Sequence, residues 1–306
     1  MKFKKFIPFI SIAIVGTGYV QKKKIKIKKV LPKYFVEIPA GHVYDKLYSS
    51  GLTILKNAHP KLDSTQQFYI SETEVTNHQY GLYLKSLKRS ARVVEYNKAL
   101  PDTNVWVDIL ASPEPYAQYY FRHQAYRNYP LVGVTQEQAI GYCQWLTDSL
   151  NQANQNYEIT IKIPTRSEWV RAARGDDQYR MYTMPGNALR NKDGNYLYNH
   201  RVVGEQNIYL NHETKQFEVI PRNCLMDNNR NDMALITAES KSYWPNEFGT
   251  YNMCGNVAEL ISDDTIALGG SWYDPGFDIR IESEKPATKP SCLIGFRVIA
   301  YINLHE

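Results

Sequence analysis

The sequence predicts an α+β fold with few helices, short strands and extensive ordered loops. Three observations carry this prediction. Three T-x-x-Q/E boxes announce helices, alternating apolar runs near both ends read as strands, and residues 176 to 250 are rich in Asn, Asp and Gly. Dispersed helices and strands with long connections suit an α+β domain better than a regular βα repeat.

The elements follow in chain order. "KYFVEIPAGHVY" (33–44) alternates apolar and polar residues around Pro39-Ala40-Gly41 and reads as strand, turn, strand. "VTNHQYGLYLKSL" places Thr76 and Gln79 at a helix start, "VTQEQAIGYCQWLTDSL" places Thr135 and Gln138, and "IPTRSEWVRAARG" places Thr165 and Glu168. In each, the hydroxyl takes a first-turn N–H and the N3 side chain returns to the cap. Ala139, Cys143, Leu146 and Leu150 follow the second box at helical spacing, so Cys143 reads as a small buried hydrophobe. Gly175 closes the third helix. In the Asx-rich stretch, regularly spread Tyr, Leu, Met and Val favour an ordered loop, the setting in which calcium binds. "CLIGFRVIAYINL" (292–304) suits a final strand.

Charge separates the chain into two parts. Residues 1–30 hold nine Lys and no acid; the remainder has 27 basic and 31 acidic residues, a net of −4. No basic stripe lies beyond residue 30, so nucleic acid is not an expected partner. "MKFKK" followed by "FIPFISIAIVGTGYV" resembles an export signal more than a full bilayer span. No A-x-A ends the apolar run, and "QKKKIKIKK" follows it. Three readings stay open: a cleaved signal, an uncleaved anchor, or a cytoplasmic amphipathic tail. Residues 31–306 read as one domain, since no linker divides them. The four Cys (143, 224, 254, 292) form no C-x-x-C pair and no disulfide framework.

"FYISETEVTNHQY", "YPLVGVTQEQAIGYCQWL", "IPTRSEWVRAARG", "EFGTYNMCGNVAELISDD", "LGGSWYDP" and "GFRVI" occur in this order. Together they resemble the sulfatase-modifying-factor family, which includes the formylglycine-generating enzymes. The resemblance spans about residues 34 to 301 and implies a C-type-lectin-like fold. The "GGSWYDP" variant and the loop "YTMPGNALRNKDGNYLYN" are most similar to gliding-motility and type IX secretion lipoproteins of Bacteroidota. Those proteins carry a lipoprotein Cys, and residues 1–142 hold none.

The resemblance implies calcium through Asn252 and Glu259 side chains with the Gly255 and Val257 carbonyls. Hard oxygens this close suit Ca²⁺, although Asn252 and Glu259 capping backbone N–H groups is the alternative. A second implied set is Asn199, His200, Asp232 and Ala234. The family's oxidase uses two cysteines after Gly-Gly-Ser that hold copper. Here those positions are Asp274 and Ile279. A carboxylate is a poor Cu(I) ligand, so neither copper nor formylglycine-generating oxidation is expected. Ser271, Trp272, Asp274 and Arg280 then form a degenerate site segment: Ser271 a turn hydroxyl, Asp274 a turn opener before Pro275. Arg280, Glu282 and Arg297 line a shared pocket or join a buried ion-pair network.

The leading expectation is a non-catalytic exported scaffold or interaction protein on the periplasmic side of the cell envelope. It would associate with the inner or outer membrane and with envelope or secretion-complex proteins. A divergent enzyme of the family, acting on a protein or small molecule, is the first alternative. A carbohydrate-binding lectin-like module is the second, and rests on fold analogy alone.

Overall fold

A computed structural model describes residues 30–44, 62–202, 208–219 and 234–304. The expected N-terminal signal or anchor, Cys224 and Asp232 lie outside these residues. The elements are β1 (Phe35–Ile38), β2 (Gly41–Tyr44), β3 (Leu62–Thr65), β4 (Phe68–Ser71), α1 (Asn77–Arg89), α2 (Val93–Ala99), α3 (Glu114–Tyr119), α4 (Gln136–Ala153), β5 (Tyr157–Lys162), α5 (Arg166–Arg174), β6 (Ile208–Leu210), β7 (Phe217–Val219), β8 (Ala258–Leu260), β9 (Ile266–Leu268), β10 (Glu284–Pro286), β11 (Ile294–Gly295) and β12 (Ile299–Leu304). This is α+β, as expected. Among the described residues no helix is long and apolar enough to cross a membrane.

The chain closes on itself early. The first sheet runs β1-β4-β12-β5, all antiparallel, so the final strand pairs between elements far upstream. Phe68, Ile70 and Ile299 face the core under α5, with Trp169 and Ile38. Tyr69, Ile159, Ile161 and Ala300 face the core under α4, with Tyr142 and Phe296. With both faces covered, β4 is buried at all four positions and loses any polar alternation. β1 and β2 flank a turn as expected, yet they do not pair with each other. β1 joins β4 and β2 joins β3, because each finds its apolar cover elsewhere.

All three capping boxes form, with reciprocal bonds at Thr76/Gln79, Thr135/Gln138 and Thr165/Glu168. Gly175 ends α5 at φ 66°. Cys143 is buried in the α4 core. The second sheet runs β10-β9-β8-β11, with β8 and β11 parallel. It brings β8 and the segment after β9 together, where the candidate site lies. Between α5 and β8 the described chain is mostly irregular, apart from the β6–β7 hairpin.

Candidate functional site

The segment after β9 is built around two glycines. Gly269 and Gly270 have φ of 87° and 65°. A Cβ on Gly269 would sit 2.6 Å from the Met253 carbonyl, and one on Gly270 would sit 2.7 Å from Ile279 Cα. Only glycine tolerates this backbone and this closeness. Ser271 donates from its backbone N (2.8 Å) and its Oγ (2.6 Å) to Asp274 Oδ2. Lys285 Nζ holds the other oxygen at 2.9 Å. Asp274 therefore closes a turn and neutralises a lysine. Ile279 is fully buried under α5. Trp272 is buried against Trp106, ring centroids 6.3 Å apart, and its Nε1 donates to the Cys292 carbonyl. Arg280 stacks on Phe277 at 3.7 Å and donates from Nε to the Phe277 carbonyl. The described cysteines, 143, 254 and 292, are free and buried, and burial pushes each thiol up to about 12. Such thiols are not thiolates near neutrality.

Glu259, on β8, is fully buried. Arg297 Nε and Nη2 donate to its two oxygens at 2.5 and 2.6 Å, and Trp169 Nε1 adds a bond at 2.7 Å. Glu74 lies close by, also fully buried. Asn256 Nδ2 donates to it at 2.7 Å, and Asn252 Nδ2 at 3.4 Å. Of the two carboxylates Arg297 bonds only Glu259, and its charge offsets only part of what Glu74 experiences. Burial, then repulsion from Glu259, pushes the Glu74 carboxyl up to about 7. Asn252, Gly255 and Asn256 all have positive φ, which lets this turn pack against Asn199, whose carbonyl accepts from Asn256 N at 2.8 Å. Of the residues considered at the shared pocket, Arg297 belongs to this cluster and Glu282 pairs with buried Arg174. A buried ion-pair network, not an open pocket, describes these two.

The calcium sets can be judged by which acceptors the fold leaves unused. In the first set, Glu259 spends both oxygens on Arg297 and Trp169, and Asn252 turns its amide nitrogen to Glu74 and the Ser240 carbonyl. Arg297 thus already neutralises Glu259. The second set differs. Asn199 is 1% exposed; its Nδ2 donates to the Ile236 carbonyl and to Asn256, while Oδ1 is buried with no partner. A buried acceptor left unmade is costly, and a hard cation would satisfy it. His200 follows directly and Ala234 is partly buried, but Asp232 falls outside the described residues.

One open concavity adjoins the segment. A cleft of about 540 Å³ is lined by Leu189, Arg190, Tyr196, His200, Arg201 and Phe277, with Pro275 and Gly276 in its wall. Short bridges build it: Arg190 pairs with Tyr196, and Arg201 with Pro275. Arg190 stacks on Tyr196 at 3.8 Å, bonds its hydroxyl, and donates to the Gly194 carbonyl at 2.9 Å. Arg201 lies over Tyr273 at 5.0 Å. His200 is buried, and burial, reinforced by Arg190, holds its imidazole below the usual range. Of the expected site residues, only His200 lines the cleft. Arg190, Tyr196 and Arg201 went unnoticed because they sit in the irregular stretch without motif spacing; a run of aromatic and basic residues there was the one signal.

Folded in this way, two small sheets and flanking helices carrying long loops form a C-type-lectin-like domain. Residues 22–302 match the family described as "Sulfatase-modifying factor enzyme 1-like domain", and the chain belongs to it. A formylglycine-generating enzyme of Streptomyces coelicolor is 25% identical over 246 residues, 73% of this chain and 62% of that protein. The formylglycine-generating enzyme of Mus musculus is 29% identical over 136 residues, 44% of this chain and 27% of that protein. The chain thus spans less than two thirds of the curated relatives it matches. Among solved structures, PvdO from Pseudomonas aeruginosa aligns with a TM-score of 0.55 at 17% identity, covering 87% of this chain and 93% of that one. CarF aligns with a TM-score of 0.51 at 19% identity, covering 88% and 98%. These likenesses speak for the fold alone.

Proposed function

We propose that this chain is a non-catalytic binding module that uses the family frame without the family's copper oxidation. The observation that carries the reading is the segment after β9. Asp274 is spent on Ser271 and Lys285, and Ile279 is core. Neither offers the sulfur that Cu(I) needs. On this reading the protein is exported by its N-terminal segment and works at the periplasmic side of the envelope, in a secretion or gliding-motility assembly. Its surface, rather than a bond-making centre, carries the function.

The test is direct. Purified protein is loaded with Cu(I) and incubated with a Cys-containing sulfatase peptide under oxygen, and the peptide is weighed by mass spectrometry. The Cys mass stays unchanged if the reading holds; conversion of Cys to formylglycine overturns it.

Calcium, on this reading, is structural and sits at Asn199. Chelation with EGTA should lower the melting temperature of the wild type and leave Asn199→Ala unmoved. An equal shift in both proteins, or none in either, removes the ion from that position.

A further inference from the structure

We propose that the cleft between the 189–202 loop and the 275–277 turn binds a carboxylate carried on an apolar body, held by Arg201 and Phe277. The proposal rests on reading the chain as a binding module and names the chemistry that its open surface takes.

The cleft has the size of a small-ligand site, and its lining is divided. Leu189, Val202, Pro275 and Phe277 supply apolar wall, while Arg190 and Arg201 supply positive charge. Among the described residues no carboxylate lines it. The two arginines are in different states. Arg190 is committed to Tyr196 and the Gly194 carbonyl. Arg201 has its backbone N fixed to the Asp274 carbonyl at 2.9 Å and its guanidinium laid on the Tyr273 ring. Among the described residues no carboxylate pairs with it. The nearest acid in sequence on the facing segment, Asp274, is already taken by Ser271 and Lys285. The fold thus fixes Arg201 beside the cleft, and among the described residues no acceptor is bonded to its fork of donors. A guanidinium of this kind takes a carboxylate through two parallel bonds.

Phe277 is the second element. It is 41% exposed, yet its ring is backed by the Arg280 guanidinium at 3.7 Å. An aromatic held in place at the surface loses little freedom on binding, which favours contact with an apolar group. One guanidinium with no carboxylate partner among the described residues matches a singly charged carboxylate better than a doubly charged phosphate, which calls for further cations. The same chemistry is offered by the free C-terminus of a polypeptide ending in an apolar residue and by a small aromatic acid.

Isothermal titration of the full chain tests this with four probes: a hexapeptide Gly-Gly-Gly-Gly-Gly-Phe with a free carboxylate, its carboxamide, N-acetyl-L-phenylalanine, and inorganic phosphate. The free acids should bind, with the carboxamide weaker by about ten-fold or more. Arg201→Gln should erase the preference for acid over amide, Arg201→Lys should keep part of it, and Phe277→Ala should weaken acid and amide alike. Thermal melts of each variant confirm that it is folded, and retention by Arg201→Lys separates loss of charge from loss of structure. A hexapeptide tighter than N-acetyl-L-phenylalanine identifies a chain end as the ligand; equal affinities identify a small acid. The proposal is overturned by no binding at roughly millimolar probe. It is equally overturned by equal affinity for acid and amide, by phosphate binding as tightly as the acids, or by an unchanged preference in Arg201→Gln. None of these results bears on the copper assay, whose positive outcome would instead remove the non-catalytic reading.

Discussion

Glu74 shows how one residue sets a measurable property of the protein. It is fully buried, takes amide N–H bonds from Asn256 and Asn252, and feels both the repulsion of Glu259 and the weaker attraction of Arg297. Its folded value of about 7 stands above the ordinary 4.5, so the fold favours the protonated form. The stability this group contributes is fully present below about pH 4.5 and is lost as pH rises through about 7. Glu74→Gln keeps an acceptor for Asn256 and cannot ionise. Urea denaturation across this window should show the wild type losing about 3 kcal/mol from this group while the variant stays flat. An equal decline in both would assign the pH dependence elsewhere. Asn252 presents its amide nitrogen to Glu74 and to the Ser240 carbonyl, contacts no local motif could reveal.

At the scale of elements, helix starts were fully legible, because a capping box is settled within four residues. What the boxes do beyond capping was not. Among the described residues, the Gln79 side chain bonds only within its own box, to Thr76. Gln138 also donates from Nε2 to the Lys98 and Leu100 carbonyls at 2.8 and 2.9 Å, tying α4 to the end of α2. Gln138→Ala should therefore cost about 1–2 kcal/mol, and Gln79→Ala less than about 1 kcal/mol. Chemical denaturation that ranks them equally would deny Gln138 its second role. Helices α2 and α3 escaped the sequence reading: both are short, neither has a side-chain cap bond, and α3 has no buried residue. The strand-turn-strand at 33–44 was readable from alternation, but its pairing was not, since β1 and β2 meet partners from other regions.

Across the molecule, Arg297 joins the two sheets. From beside β12 it reaches Glu259 on β8, the Ser71 carbonyl on β4 at 3.0 Å and the Tyr251 carbonyl at 2.8 Å. Removing it would leave the buried Glu259 carboxylate with no cation. Arg297→Met should cost about 3–5 kcal/mol, and adding Glu259→Leu should recover part of that loss. A thermal melt in which the single variant matches the wild type would show that the pair carries no such weight.

By itself, the sequence determined the class of fold, the three capped helices and the family, and it places Asp274 and Ile279 after the Gly-Gly-Ser. These are local or ordered features, written in spacings of a few residues and in the succession of motifs. Only the tertiary structure decided that Glu259 answers to Arg297, that Asp274 is spent on Ser271 and Lys285, and that Arg201 lines a cleft with no carboxylate partner among the described residues. Charge pairing in a folded chain is settled by which groups are brought within hydrogen-bond distance and removed from water. Residues 38 apart, as Glu259 and Arg297 are, meet only after the sheets have formed.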